Sequence, residues 1–366
     1  MDLTKIESLK IGDIEARIPI VQGGMSVGIS LSGLAAAVAN EGGIGVIGAA
    51  GIGMLEPDFK RNYGEANKRA LRKEIRRARE MSDGVIGVNI MVALSDYDDL
   101  VKVAVDEGVD LLFLGAGLPL KLPKTVSLDK LQQSHTKVVP IVSSARAAKI
   151  ILHHWGKRYQ YIPDAVVVEG PLAGGHLGFK KEEIDNPEYA LNKLVPAVIE
   201  AIKPFEQQFG KSIPVIAAGG IFSGADIAKF LRLGAQGVQM ATRFVATDEC
   251  DASTRFKEMY LNCRKDDLVI IDSPVGLPGR AIRNQFLEDV SAGIKKPFEC
   301  PWKCLRTCDY RTSPYCIARA LTNAKKGELD DGFAFAGANA YRVEKITSVH
   351  ELIESLLEEY EKAVTG

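Results

Sequence analysis

Long hydrophobic runs are absent from this chain of 366 residues, and its most apolar stretch, residues 42–55, is short and interrupted by glycine. A membrane-spanning helix needs about 20 consecutive apolar residues, so this stretch cannot cross a bilayer. The N-terminal residues MDLTKIESLKIGD also lack the apolar core of a secretory signal peptide. We therefore expect a cytoplasmic protein with no membrane partner.

An excess of charge of one sign is also absent, because 46 lysines and arginines oppose 47 aspartates and glutamates, a net charge of −1. This balance produces no global field that would attract nucleic acid. Basic residues are concentrated in one predicted helix, residues 65–81, where glutamates are interleaved with them. A solvated helix face with ion pairs is the favoured interpretation. A docking patch for an acidic carrier protein or a nucleotide phosphate is the alternative.

Histidine is scarce, with five residues in the chain. His176 follows a β-branched run, residues 166–168, and a loop that holds Glu169 and the paired glycines Gly174 and Gly175. A strand that ends in a glycine-rich loop with one histidine is typical of an α/β enzyme that presents an imidazole beside a cofactor. Paired glycines let a planar ligand approach the backbone closely. On these residues alone, a tight turn beside a surface histidine is an equal alternative.

Eight apolar runs, each followed by a helical pattern, organise the chain between residues 18 and 264. The runs are residues 18–21, 43–50, 85–92, 111–114, 137–142, 165–169, 213–217 and 237–241. They are continuously apolar rather than alternating, which indicates parallel strands buried on both faces. Eight such units within about 250 residues is the count of an α/β protein with a (β/α)8 TIM barrel. A doubly wound open sheet is the alternative.

The predicted strands end in glycine, asparagine, serine or titratable residues, and a barrel keeps its functional site at this end. Residues 218–223 and 241–244, after the seventh and eighth strands, contain glycine and hydroxyl side chains. Such barrels hold a phosphate there with backbone amides and a helix N-terminus. We expect phosphate binding at these turns, and two ordinary helix-entry turns are the alternative.

Several motifs resemble, in order and spacing, those of the nitronate monooxygenase (2-nitropropane dioxygenase) family, which includes flavin-dependent enoyl-acyl-carrier-protein reductases. The motifs are residues 22–25 (QGGM), Asn89, residues 173–178 (AGGHLG), residues 218–221 (AGGI) and residues 240–244 (MATRF). Residues 279–284 and the segment around Gly337 resemble the family's C-terminal part. The resemblance implies a TIM-barrel FMN-binding domain at residues 1–265. Residues 266–366 then form a smaller, mostly helical segment that packs on the barrel.

The resemblance also implies roles for individual residues. His176 would be the catalytic residue and would face the substrate, and Asn89 would hydrogen-bond the polar edge of the flavin. Phosphate contacts would come from Gly219, Gly220, Ala241 and Thr242. The full set of cofactor-binding residues implied in this way is Gly23, Gly24, Met25, Asn89, Ser143, Glu169, Gly174, Gly175, Ala218, Gly219, Gly220, Gln239, Met240, Ala241 and Thr242.

Two positions depart from the family pattern. Pro171, Leu172 and Ala173 stand where the family commonly has Glu-Ala before Gly-Gly-His, which changes what flanks the substrate. Ala241 stands where a glycine is common, and this change leaves the backbone donors intact.

Four of the six cysteines form the pattern C-x3-C-x3-C-x7-C, at Cys300, Cys304, Cys308 and Cys316. Thiols stay reduced in the cytoplasm, so a metal or chemical role is favoured over disulfides. Four thiolates in one short segment suit Zn²⁺ or a 4Fe–4S cluster, although the spacing matches neither the common zinc pattern nor the ferredoxin pattern. Free thiols in a packed cap and a redox-labile pair are the alternatives. The other two cysteines are expected to pack in the core.

Three functions are consistent with these features. The first is oxidation of a nitronate or similar small carbon acid with O₂, with His176 as base or hydrogen-bond donor. The second is reduction of an enoyl thioester with NAD(P)H as co-substrate, with acyl carrier protein as a possible partner and His176 steadying the developing enolate. The third is electron transfer or redox sensing by flavin and the cysteine centre. The oligomeric state is open, and a homodimer is one option.

Overall fold

The computed structural model describes residues 6–296, 298–300 and 302–365, and a closed barrel of eight parallel strands lies at its centre. In this part of the chain the strands are β1 (Leu9–Ile11), β2 (Ile14–Ala16), β3 (Ile20–Gln22), β4 (Ile44–Gly48), β5 (Val85–Met91), β6 (Leu111–Gly115), β7 (Lys137–Val142), β8 (Val166–Glu169), β9 (Gly175–His176), β10 (Val215–Ala218), β11 (Gly237–Met240), β12 (Leu268–Asp272) and β13 (Pro278–Ile282). The barrel order is β10-β11-β3-β4-β5-β6-β7-β8. Each of these strands overlaps a predicted run, so the TIM barrel is confirmed and the open sheet is wrong.

Helices surround the barrel and alternate with its strands. They are α1 (Ser32–Asn40), α2 (Tyr63–Met81), α3 (Tyr97–Asp106), α4 (Leu128–Gln133), α5 (Ala145–Tyr159), α6 (Leu191–Phe209), α7 (Gly224–Arg232), α8 (Thr242–Val245), α9 (Thr254–Leu261), α10 (Gln285–Ser291), α11 (Ile317–Lys325) and α12 (Val349–Thr365). The last helix, α12, packs against both α7 and α1 and completes the outer ring. The C-terminal segment thus contributes a helix to the barrel, and the domain boundary at residue 265 stays a prediction.

Side chains at alternate strand positions fill the barrel interior, because successive residues of a strand point to opposite faces. Val21, Val139 and Val167 belong to this inner core, together with residues of the N-terminal hairpin β1–β2. A Cβ at Gly87 would lie 2.8 Å from the ring of Phe113, so glycine leaves room for that ring in the interior. The hairpin closes the end where the strands begin and leaves the carboxyl end for a site.

A small antiparallel sheet lies over that carboxyl end. The expectation of a mostly helical segment at residues 266–366 did not include it. Its order is β12-β13-β9, so a hairpin from the C-terminal segment pairs with the strand that contains His176. Gly279 is opposite His176, and Arg280 is opposite Gly175. The backbone N–H of Leu177 also donates to the carbonyl of Pro278 at 2.8 Å. The C-terminal segment therefore sets the position of the histidine loop.

The basic helix α2 carries ion pairs on its outer face. Arg72 and Arg76 both contact Glu107, at 2.8 and 2.7 Å, and Arg79 contacts Asp110 at 2.7 Å. These pairs agree with the interpretation of a solvated, ion-paired face. Across the described residues, none of the helices combines the length and apolar character that crossing a membrane requires.

Candidate active site

Inward-facing positions near the carboxyl ends of the strands supply the polar side chains of the site. Val167 points into the barrel, so Glu169, two residues later on β8, points the same way at the barrel mouth. On β7 the inward-facing residues are Val139 and Ile141, and the same alternation makes Ser143, directly after the strand, face inward. These side chains line two neighbouring cavities at the barrel mouth.

The first cavity, called here the glycine-lined cavity, gathers most of the predicted cofactor-binding residues. Those in its wall are Gly23, Gly24, Met25, Asn89, Glu169, Gly174, Gly175, Gln239, Ala241 and Thr242. His176 lines it as well, beside Phe335, Ala336 and Gly337 of the C-terminal segment. Segments that are distant in sequence therefore meet at this cavity.

Glycine is required at particular points of this wall. A Cβ at Gly24 would lie 2.5 Å from the Cβ of Asn89, so only glycine lets residues 23–25 lie against β5. A Cβ at Gly175, which has φ +79°, would meet nothing within 4 Å because that side is open space. The shape is that of a cradle for a flat ligand.

Five of the predicted cofactor-binding residues lie outside this wall. Ser143 lines the neighbouring cavity instead. The side chains of Ala218 and Met240 are each 2% exposed and pack in the core. Gly219 and Gly220 form the turn after β10 with φ of +96° and +86°. Within the described residues their backbone N–H groups have no acceptor, which fits a phosphate turn.

The second cavity, called here the adjacent cavity, has a volume of about 420 Å³ and is lined mainly by small and apolar residues. It shares Ala116, Ile141, Glu169 and His176 with the glycine-lined cavity. Glu169 and His176, the titratable side chains of the adjacent cavity, thus lie at its boundary with the glycine-lined cavity. A molecule in one cavity would meet a molecule in the other beside Glu169 and His176.

His176 is held by residues of the C-terminal segment. Its Nε2 lies 2.7 Å from the Oγ of Ser273, and its ring is edge-on to Phe335 with centroids 4.9 Å apart. The backbone N–H of Val275 donates to the same Oγ at 3.3 Å. Burial lowers the pKa of His176 to about 4, because the charged ring would lose its hydration. The imidazole is therefore neutral at physiological pH.

Glu169 has the opposite shift. Burial raises the pKa of its carboxyl group to about 7, since the ionised form loses water without gaining a charged partner. Among the described residues no side chain or backbone group hydrogen-bonds the carboxyl. A carboxyl group with a raised pKa and a neutral imidazole at one boundary are a pair that can divide proton donation and acceptance.

Arg280 fixes the loop that precedes His176. Its buried Nη1 donates to the carbonyls of Pro171 and Ala173, at 2.6 and 2.9 Å. The backbone N–H of Ala338 donates to the carbonyl of Leu172 at 3.0 Å. Burial lowers the pKa of the Arg280 guanidinium. The loop that departs from the family pattern is therefore held in place by the C-terminal segment at three consecutive carbonyls.

The four clustered cysteines do not form a metal-ligand set in the described residues, where no group of three or more cysteine, histidine, aspartate or glutamate side chains could hold a metal ion. The segment is nevertheless close to the site. Cys304 is 7% exposed, and its carbonyl accepts a hydrogen bond from the N–H of Ser95 at 3.0 Å. Thr307 lines the adjacent cavity. The zinc or iron–sulphur centre stays a prediction without support from the structure.

All six cysteines are free thiols. Cys250 and Cys263 are 4% and 6% exposed, which confirms that they pack in the core. Burial also raises the pKa of both thiols to about 11, so neither is reactive at neutral pH.

Sequence reasoning missed Ser273, Phe335 and Tyr260. Ser273 contacts His176 from 97 residues away, and Tyr260 lines the glycine-lined cavity while its hydroxyl donates to the Phe335 carbonyl. None of the three belongs to a motif with a local chemical meaning. The available signal was the resemblance of residues 279–284 and of the segment around Gly337 to the family's C-terminal part, which indicated the region but not these residues.

Comparison with known proteins confirms the family that the sequence motifs resemble. A family profile described as nitronate monooxygenase matches residues 7–359. The chain belongs to the nitronate monooxygenase family. A probable nitronate monooxygenase from Staphylococcus saprophyticus is 28% identical over 350 residues, 88% of each chain. A Mycobacterium tuberculosis relative, (3aS,4S,5R,7aS)-5-hydroxy-7a-methyl-1-oxo-octahydro-1H-indene-4-carboxyl-CoA dehydrogenase, is 30% identical over 76% of this chain and 66% of its own length.

Two solved structures of similar proteins extend the comparison. FabK from Thermotoga maritima, an enoyl-acyl-carrier-protein reductase, has a TM-score of 0.72 and 32% identity over 100% of this chain and 96% of its own. Nitroalkane oxidase from Streptomyces ansochromogenes has a TM-score of 0.73 and 24% identity, covering 96% of this chain and 97% of its own. The second similarity concerns the fold alone. This member of the nitronate monooxygenase family is an oxidoreductase with the TIM-barrel fold.

Proposed function

We propose that this nitronate monooxygenase family member is an FMN-dependent oxidoreductase that reduces the carbon–carbon double bond of an enoyl thioester. The observation that carries the proposal is the adjacent cavity. It is lined mainly by small and apolar residues, it shares a boundary with the glycine-lined cavity, and among the described residues no lysine or arginine lines it. Such a cavity suits a neutral acyl chain.

The residues of the glycine-lined cavity fit FMN. Gly24 and Gly175 give the backbone the shape of a cradle, and Asn89 and Gln239 place amide groups in its wall. The free N–H groups of Gly219 and Gly220 would take the phosphate, beside Thr242. FMN, when bound, would supply the two-electron chemistry, and the protein would supply placement and proton handling.

The adjacent cavity distinguishes the substrate classes by charge. A nitronate is an anion, and its binding gains from a positive partner. Here His176 is neutral because burial lowers its pKa to about 4, and Glu169 carries no positive charge in either protonation state. An enoyl thioester is neutral at its reacting end. The names of FabK and of the M. tuberculosis carboxyl-CoA dehydrogenase also concern acyl groups carried as thioesters.

The second candidate is oxidation of a nitronate or a similar carbon acid with O₂. Its specific support is the neutral ring of His176, which can act as a base toward a carbon acid through the ring nitrogen that does not contact Ser273. The curated S. saprophyticus relative carries the nitronate monooxygenase name.

The experiment that separates the two candidates is anaerobic. Purified protein is reconstituted with FMN, reduced with NADH or NADPH, and mixed with crotonyl-CoA or with ethyl nitronate without oxygen. The thioester is expected to restore the oxidised flavin absorption within seconds. A sample that stays reduced with crotonyl-CoA but turns over nitronate in air would overturn the proposal and support the second candidate.

Four expectations from the sequence concern the reductant, the acyl donor, the location and the assembly of the protein. Use of NADH or NADPH as reductant, acyl carrier protein as the natural acyl donor, a cytoplasmic location and a homodimeric assembly all stay predictions. The same anaerobic sample tests the reductant, since only a true co-substrate would bleach the flavin.

A further inference from the structure

We propose that Glu169 is the proton donor of the reaction and delivers its proton to the substrate carbon next to the thioester carbonyl. This inference rests on the proposed function. Glu169 is on β8, faces the barrel mouth and lines both the glycine-lined and the adjacent cavities. A group at this boundary can reach a substrate whose double bond lies against the cofactor.

The step balances as a two-electron reduction of a carbon–carbon double bond. One carbon receives a hydride that originates from the nicotinamide co-substrate, which is oxidised. The neighbouring carbon, next to the carbonyl, receives the proton as the carboxyl O–H bond of Glu169 breaks and a C–H bond forms. The Glu169 carboxylate then regains a proton from water at the cavity mouth.

The surroundings of Glu169 offer few other donors. Its neighbour in register on β10 is the apolar Ala218. Within the described residues, the titratable side chains of the two cavities are Glu169, His176 and Tyr260. Tyr260 already donates its hydroxyl to the carbonyl of Phe335, and burial raises its pKa. Hydroxyl groups such as that of Ser143 hold their protons too tightly to be strong acids.

His176 is suited to a different task. It carries no extra proton at neutral pH, because burial lowers its pKa to about 4, and its Nε2 is engaged with Ser273. Glu169, with a pKa raised to about 7, is substantially protonated at neutral pH. General acid catalysis is most effective when the pKa of the donor is near the working pH. His176 then orients the substrate while Glu169 supplies the proton.

The pH dependence follows from the direction of the shift. The donor form of Glu169 is present below about pH 7 and is lost as the pH rises through that value. Reoxidation of the reduced protein by crotonyl-CoA should therefore slow tenfold for each pH unit above the pKa. This measurement uses the wild-type protein and does not depend on any variant folding.

The decisive variant is Glu169→Gln, with Glu182→Gln as the matched control at an exposed carboxylate. Measured at saturating FMN, Glu169→Gln should still be reduced by NAD(P)H, and it should lose about 10²–10⁴-fold in the rate of reoxidation by crotonyl-CoA. Its absorption spectrum should lose a pH-dependent shift with a midpoint near 7, which wild type and Glu182→Gln retain. Glu169→Asp should restore part of the rate and the titration.

The outcomes separate this inference from the proposed function. Absence of reoxidation by crotonyl-CoA in wild type at every pH means that the proposed function itself is wrong. Reoxidation in wild type together with an unchanged rate in Glu169→Gln overturns the role of Glu169 alone. A wild-type rate that is flat from pH 5 to 9, with no spectral midpoint near 7, overturns it without recourse to a variant.

Discussion

The substitution Gly175→Ala should distinguish an effect on FMN affinity from an effect on folding stability. Gly175 has φ +79° and lines the glycine-lined cavity, and a Cβ built there meets nothing within 4 Å. The substitution Gly175→Ala therefore adds backbone strain but no clash inside the protein. The left-handed conformation costs an alanine roughly 1–2 kcal/mol, which is the expected loss of folding stability.

The matched control is Gly293→Ala. Gly293 has φ +82° and equally open surroundings, and it lies outside the walls of both cavities. The two variants should lose the same stability in urea unfolding of the flavin-free proteins. Only Gly175→Ala adds its methyl at a residue that lines the proposed FMN site.

The difference should appear in the affinity for FMN. A methyl forced into a closely packed contact typically costs about 1–3 kcal/mol. This corresponds to a Kd raised roughly 5- to 150-fold for Gly175→Ala. Titration of flavin-free protein with FMN, followed by quenching of flavin fluorescence, measures it. If Gly175→Ala binds FMN within a factor of two of Gly293→Ala, the cavity is not the flavin site.

Three further predictions concern the residues around the cavities. His176→Ala should keep its flavin and its reduction by NAD(P)H but lose about 10²–10⁴-fold in turnover, as stopped-flow measurements of the two half-reactions would show; turnover within twofold of wild type would remove the residue from the mechanism. Arg280→Met should lower the free energy of unfolding by about 2–4 kcal/mol, because two buried carbonyls lose a charged donor. The control Arg283→Met, at an exposed residue, should change it by less than about 0.5 kcal/mol. Equal effects of the two variants in urea denaturation would contradict the account of the loop. If Cys300, Cys304, Cys308 and Cys316 bind a metal as their spacing suggested, elemental analysis of anaerobically purified protein should find zinc or iron that a serine variant of any one of them releases; a blank analysis with ready alkylation of all four would show that they are ordinary thiols.

The sequence predicted the features that depend on local order. The β-branched run before Glu169 identified a buried strand, and the alternation along it explains why that carboxyl faces the barrel mouth. The glycine pairs marked places where the backbone has to approach a ligand. These signals depend on residues that are neighbours in the sequence, so they can be recognised without knowledge of the tertiary structure.

Residues that meet across long stretches of chain could not be predicted in the same way. The pairing of β9 with β13 brings Ser273 and Phe335 to His176, and strand pairing between distant segments leaves no periodicity in either one. The pKa values of Glu169 and His176 depend on burial that only the folded chain creates. For the clustered cysteines, close spacing in sequence predicted a ligand set that the described residues do not form, and the metal centre stays a prediction.

The most direct test of the central claim is the identity of the bound flavin. Protein reconstituted with a mixture of FMN and FAD, then desalted and heated, should release FMN at about one molecule per chain. The turn at Gly219 and Gly220 after β10 suits a single phosphate, and the sequence contains no fingerprint for binding an adenosine half. Release of FAD, or of no flavin in stoichiometric amount, would contradict the account.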